Sequence, residues 1–187
     1  MKTGFSDKRL IMTMFHEAVT LASFMVLLGA CGSPTSPANQ ETPRVTPDLV
    51  KVNRYIVKKD QATIKNLIAR EGWQMTPTQT GLWYMIINHG NGKKAEKGDV
   101  ISLKYRISLP DGNTVYSSDS LGLKTFRIGQ GNVESGLEEG VLLLHQGDQA
   151  KFIMPPYLAY GLIGDSKKIP GRAIIVYDVE IVSLKPE

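Results

Sequence analysis

From Gly81 onward the apolar residues of this 187-residue chain recur at every second position. Leu82, Tyr84 and Ile86 alternate with Trp83, Met85 and Ile87, the pattern of a strand partly covered on both faces. Residues 100–109 alternate again, with Ile101, Leu103, Tyr105, Ile107 and Leu109 on one side. Successive strand side chains point to opposite faces, so this spacing commits one face to a core. Turn residues punctuate the runs at Gly90-Asn91-Gly92, Lys97-Gly98-Asp99 and Pro110-Asp111-Gly112-Asn113. The last of these returns the chain into Thr114-Val115-Tyr116 as a hairpin. Further strands are predicted at residues 124–128, 149–154 and 173–184. The 131–140 region carries one short helix, with Ser135 and Glu138 at capping-box spacing and Leu137, Val141 and Leu144 able to point inward. These elements define an α+β domain, an antiparallel five- to six-stranded curved sheet wrapped on one short helix.

Ahead of the strands the period lengthens. Leu49, Val52 and Ile56, then Ile64, Leu67 and Ile68, recur at helical spacing. Thr46 is placed to cap that helix, with Pro47 at its first position, Asp48 in its first turn and Gly72 as its stop. Asp60 interrupts the stripe and can instead cap a second helix, so one or two amphipathic helices are expected over 48–72. A bare apolar stripe is a liability. It either packs on the domain that follows or forms a homodimer or partner surface. Residues 31–47 are rich in Ser, Pro, Thr and Asn, cannot bury a core, and read as a flexible tether.

The first thirty residues have the pattern of an export leader. Lys2, Lys8 and Arg9 precede a run over 18–30 that is apolar apart from Thr20 and Ser23. That run is shorter than the roughly 20 apolar residues a bilayer-spanning helix needs, so 1–30 reads as a signal peptide. It closes on Leu28-Gly29-Ala30-Cys31, which looks like a bacterial lipobox ending in the only cysteine of the chain. Lacking a disulfide partner, that thiol is the atom placed to take lipid. Each buried methylene contributes about 0.8 kcal/mol, and two or three acyl chains then give stable membrane attachment. The expected location is the cell envelope, facing the periplasm, with the outer membrane preferred to the inner. No acidic cluster follows Cys31.

Charge excludes one class of function. The 22 basic and 18 acidic residues leave +4, and no basic cluster carries interleaved aromatics, so no nucleic-acid surface is expected. His16, His89 and His145 are scattered, without the spacing of a zinc site. Ser117-Ser118-Asp119 lacks a nucleophile-elbow glycine pattern and a histidine placed to serve it, which argues against a hydrolase. Trp73 and Trp83 read as structural.

The informative chemistry lies in Gly136-Leu137-Glu138-Glu139-Gly140-Val141, Gly147-Asp148, Phe152 and Pro155-Pro156-Tyr157-Leu158-Ala159-Tyr160-Gly161. A short helix feeds a strand that ends in a tyrosine-bearing loop, the layout of an apolar pocket with one polar handle. Tyr105, Phe126 and Tyr177 sit on strands, where aromatics ordinarily fill cores. Tyr160 follows a proline pair on a loop and has less core left to fill. Glu134 is expected to face solvent, with only its backbone useful.

Over residues 81–185 the ordered series Gly112, Ser117-Ser118, Phe126, the 136–141 string, Gly147-Asp148, Ala159-Tyr160-Gly161, Ile169-Pro170 and Val176-Tyr177-Asp178-Val179-Glu180 resembles the FKBP-type peptidyl-prolyl isomerases. The helical preface and lipid anchor make the whole similar to the gliding-motility-associated isomerase lipoproteins of Bacteroidetes. The resemblance implies an isomerase domain over 73–187, proline-containing polypeptide clients, and no cofactor or metal. It implies a proline slot lined by Tyr105, Phe126, Val133, Leu137, Ile169 and Tyr177, with Leu137 as a floor where many relatives carry Trp. The backbone amide of Glu134 and the hydroxyl of Tyr160 would hold substrate carbonyls. Val115 and Tyr116 stand where the family commonly has Phe and Asp, and Asp165 and Lys168 lie in a flap that is usually more apolar or histidine-bearing. These departures imply reduced turnover and poor macrolide binding. The alternative they raise is a weakly active or inactive FKBP-like chaperone or assembly factor.

Overall fold

The computed structural model describes residues 47–186. The leader, Cys31, the tether as far as residue 46 and the cap at Thr46 lie outside the described residues. Helix α1 runs unbroken from Pro47 to Glu71. No second helix begins at Asp60. Its carboxylate oxygens instead accept hydrogen bonds from Arg172 Nη2 at 3.3 and 3.1 Å, so the acid that interrupts the stripe is a docking group. Gly72, at φ +67°, ends the helix as expected, with the N–H groups of Gly72 and Trp73 returning to the carbonyls of Ala69 and Ile68.

Seven strands follow where five or six were expected: β1 (Thr76–Pro77), β2 (Trp83–Asn88), β3 (Val100–Ser108), β4 (Thr114–Ser117), β5 (Lys124–Arg127), β6 (Gln149–Met154) and β7 (Ile175–Lys185). All pair antiparallel in the order β1-β2-β6-β7-β3-β4, with β5 also on β3. Two short helices intervene, α2 (Ser118–Leu121) and α3 (Ser135–Val141), and a 3₁₀ turn covers Pro156–Leu158. β4 and β5 share one edge of β3: β4 pairs Arg106–Ser108 and β5 pairs Val100–Leu103. Helix α2 fills the gap between them. There Ser118 Oγ accepts the backbone N–H of Tyr105 at 3.2 Å, replacing the missing ladder bond. The Ser117-Ser118-Asp119 segment thus has a structural role.

Alternation along β6 and β7 divides the core in two. Phe152, Met154, Ile175 and Tyr177 face α3, whose Leu137 and Val141 are fully buried with Leu144 just beyond. Ile153 and Val176 face the other way and pack with Ile174 against Ile64 and Leu67 of α1. The C-terminal half of the α1 stripe is therefore covered by its own domain. Leu49, Val50, Val52 and Tyr55 in the N-terminal half are exposed.

Helix α3 starts differently from the sequence expectation. Glu134, not Ser135, is the N-cap, and no side chain caps it. Ser135 Oγ points to the Leu158 carbonyl at 3.5 Å, while Glu138 Oε1 takes the N–H of Gly131 at 3.0 Å. The capping box is replaced by a carboxylate that ties down the preceding loop.

Candidate functional site

Six segments bring the expected side chains to one place. β3 supplies Tyr105, β4 supplies Val115 and Tyr116, and β5 supplies Phe126. The turn into α3 supplies Val133, Glu134 and Leu137, and β7 supplies Tyr177. The 160–173 loop contributes Tyr160 and Ile169. Val115, Phe126, Leu137, Ile169 and Tyr177 belong to one buried cluster, and Tyr105, Tyr116, Val133 and Tyr160 pack against it half-buried. The Tyr105 and Tyr177 rings lie 6.0 Å apart, tilted by 42°, within the range of favourable aromatic pairing. Leu137 is fully buried in the same cluster.

Glu134 overturns its sequence reading, since it is a buried group with its carboxylate turned inward. One carboxylate oxygen accepts the Tyr160 hydroxyl and the other lies 3.3 Å from Lys124 Nζ. The same ammonium donates to Tyr177 Oη at 2.9 Å. It stands 5.4 Å from the Tyr105 ring centroid and 5.6 Å from that of Tyr177, so two aromatic faces and a carboxylate surround it. A buried carboxylate needs such company, because an unpaired one is costly. Lys124 was missed as a site residue. It lies two positions from Phe126 on β5 and so shares its inward face, a signal the alternation carried.

A second polar link fastens the flap. Tyr116 donates its hydroxyl to Asp165. The other oxygen of Asp165 accepts the backbone N–H groups of Lys167, Lys168 and Ile169 at 2.9, 3.0 and 2.8 Å. Lys168 Nζ lies 5.4 Å from the Tyr116 ring centroid. Burial pushes the Asp165 carboxyl up, but the Tyr116 hydroxyl and the three amides outweigh it and hold the pKa at about 2. Tyr160 and Tyr177 are pushed well above the usual phenol range, first by burial and then by Glu134. Tyr105 is raised for the same two reasons. Tyr116 is raised chiefly by its bond to Asp165. All four phenols therefore keep their protons; Tyr160 and Tyr116 donate theirs to carboxylates, and Tyr177 accepts from Lys124.

A groove of about 270 Å³ on the sheet is lined by Lys104, Arg106, Asp119 and Glu180 together with Ile87, Tyr105 and Val179, so it adjoins this cluster at Tyr105. Its charges include the pairs Lys104–Glu180 and Arg106–Asp119.

An antiparallel sheet folded around one short helix brings aromatic side chains together beside the helix start, with the Tyr160 hydroxyl on Glu134 among them. The chain belongs to the FKBP-type peptidyl-prolyl cis-trans isomerase family, whose model matches residues 91–182. It is 33% identical over 124 residues to FK506-binding protein 2 of Yarrowia lipolytica, covering 66% of this chain and 85% of that protein. It is 37% identical over 129 residues to the probable FKBP-type isomerase FkpA of Neisseria meningitidis, covering 68% of this chain. This chain spans about half the length of such bacterial relatives, 46% for the Neisseria protein and 48% for a probable FKBP-type isomerase of Haemophilus influenzae. The crystal structure of AtFKBP13 superposes with a TM-score of 0.58 at 30% identity, covering 60% of this chain and 99% of that one.

Proposed function

We propose that the chain catalyses cis-trans isomerisation of X-Pro bonds in polypeptides. The convergence of Tyr105, Phe126, Val133, Leu137, Ile169, Tyr177 and Tyr160 on one apolar cluster supports this reading. Rotation about an X-Pro bond is opposed by a barrier of about 18–20 kcal/mol, because the planar imide has partial double-bond character. Twisting removes that resonance and makes the carbonyl less polar. An apolar slot therefore penalises the planar ground state more than the twisted one, and catalysis follows from that difference. A thousandfold acceleration needs about 4 kcal/mol of differential binding. Tyr160 would supply part of it by turning its hydroxyl from Glu134 to the rotated carbonyl, with the Glu134 amide holding a second one. No proton leaves the enzyme in such a step.

A protease-coupled tetrapeptide assay tests the proposal. Expected is a rate that rises linearly with protein; no rate above background at micromolar protein would remove the enzyme claim. A second reading, a binding module with little turnover, is favoured by one observation: Glu134 engages Tyr160 and Lys124 together, inside the slot. Peptide binding without acceleration would establish it.

We further propose that the mature protein is anchored through lipid on Cys31 to the periplasmic face of an envelope membrane and assists folding of exported proteins. The lipobox-like Leu28-Gly29-Ala30-Cys31 supports this. Among the described residues no helix is long and apolar enough to cross a membrane. Fatty-acid labelling that persists in Cys31→Ala would refute the anchor. The exposed Leu49, Val52 and Tyr55 favour a homodimer through the N-terminal half of α1, and a monomer in sedimentation would exclude it.

A further inference from the structure

We infer that Lys124 is a specificity-determining residue, which makes the slot prefer proline preceded by an acidic residue over proline preceded by a basic one. The inference rests on the isomerase reading above for its substrate class. Three observations carry it. First, the Lys124 ammonium lies among the slot-lining groups, beside both the Tyr105 and the Tyr177 rings. Second, it is held there: Glu134 has a side chain only 6% exposed, and moving Lys124 away would strip that buried carboxylate of its counter-ion. The cation therefore stays when a substrate arrives. Third, Lys124 is 23% exposed and an ammonium has three N–H donors, of which Glu134 and Tyr177 take two. The remaining donor is open to an acceptor on the bound peptide. A carboxylate beside the proline ring gains a charge-assisted hydrogen bond there, whereas a second cation is repelled.

Lys168 is the other cation near the mouth, over the Tyr116 ring and exposed. It sits on the flap without a buried counter-ion, so its charge is more readily screened and moved. The two lysines are separable by substitution.

The test uses three peptides that differ only in the residue before proline, Glu, Leu or Lys. We expect kcat/KM for the Glu peptide to exceed that for the Lys peptide by about tenfold at low salt, equivalent to 1.4 kcal/mol, and the ratio to shrink as salt is raised. Lys124→Gln should bring the ratio close to one, and Lys124→Arg should preserve it. Lys58→Gln, on the exposed side of α1, makes the same change in net charge and should leave the ratio intact. Should Lys124→Gln fail to fold, the wild-type ratio and its salt dependence decide. A ratio at or below one in the wild type overturns the inference, as does a preference abolished by Lys168→Gln or Lys58→Gln instead. If none of the peptides is turned over, the isomerase reading fails. Anisotropy titration of the same labelled peptides then decides the inference by the order of their affinities.

Discussion

At the scale of single residues the site is governed by competition for Glu134. Tyr160 and Lys124 both donate to its carboxylate, so the phenol that would hold a rotated carbonyl must first leave a charged acceptor. Tyr160→Phe should lower kcat/KM by about tenfold, the loss of one neutral hydrogen bond, with the peptide assay as readout. An unchanged rate would show that the hydroxyl never leaves Glu134. The Tyr116–Asp165 link has a pH signature. The folded-state pKa of Asp165, about 2, lies below its ordinary value of 3.8, so the link contributes stability fully above that ordinary value. The contribution is lost as pH falls from about 4 towards about 2. In Tyr116→Phe the Asp165 carboxyl should titrate closer to its ordinary value, measured by carbon NMR; an unchanged midpoint would mean that the backbone amides alone hold it. Strand and helix periodicity pointed Tyr105 and Leu137 inward, whereas Phe126 and Tyr177 were marked by the family resemblance. Neither placed the Glu134 carboxylate. A charged residue beside a helix start is ordinarily solvated, and nothing local announces that Lys124, Tyr160 and Tyr177 meet it from three other segments.

At the scale of elements the site depends on how closely α3 approaches the sheet. Gly136 and Gly140 lie one turn apart on its buried face. A Cβ at Gly140 would stand 2.7 Å from the Phe152 ring, and one at Gly136 2.9 Å from Met154 Sδ. Gly140→Ala gains up to about 1 kcal/mol of helix propensity but overpacks a fully buried ring at a cost of about 1–3 kcal/mol. The net expectation is a loss on the order of 1 kcal/mol in urea unfolding. A gain would mean that Phe152 can move aside. The long strands were legible because alternation over several residues is hard to mistake, and 149–154 was matched residue for residue. Thr76–Pro77 and Ser118–Leu121 were not, because two or four residues are too short to show a period. The Ser135–Glu138 spacing misled for a related reason, since Glu138 found better donors in the loop before the helix.

At the scale of the molecule the central strands are covered on both faces, by α3 on one and by the second half of α1 on the other. Arg172, which pairs with Asp60 at 3.1 Å, also donates its backbone N–H to the Gly161 carbonyl, so one residue joins α1 to the flap that carries Tyr160. A chain beginning at Trp73 should therefore unfold at lower urea and bind a hydrophobic dye through the uncovered Ile153, Ile174 and Val176. An unchanged midpoint without dye binding would show that α1 is dispensable. The central claim is that the slot eases an X-Pro bond through its twisted form without moving a proton. Exchange NMR of a proline peptide with catalytic amounts of the protein, run in H₂O and in D₂O, tests it most directly. The expected result is cis-trans exchange accelerated far above the free peptide and equal in the two solvents. No acceleration, or a rate that falls clearly in D₂O, would contradict the account.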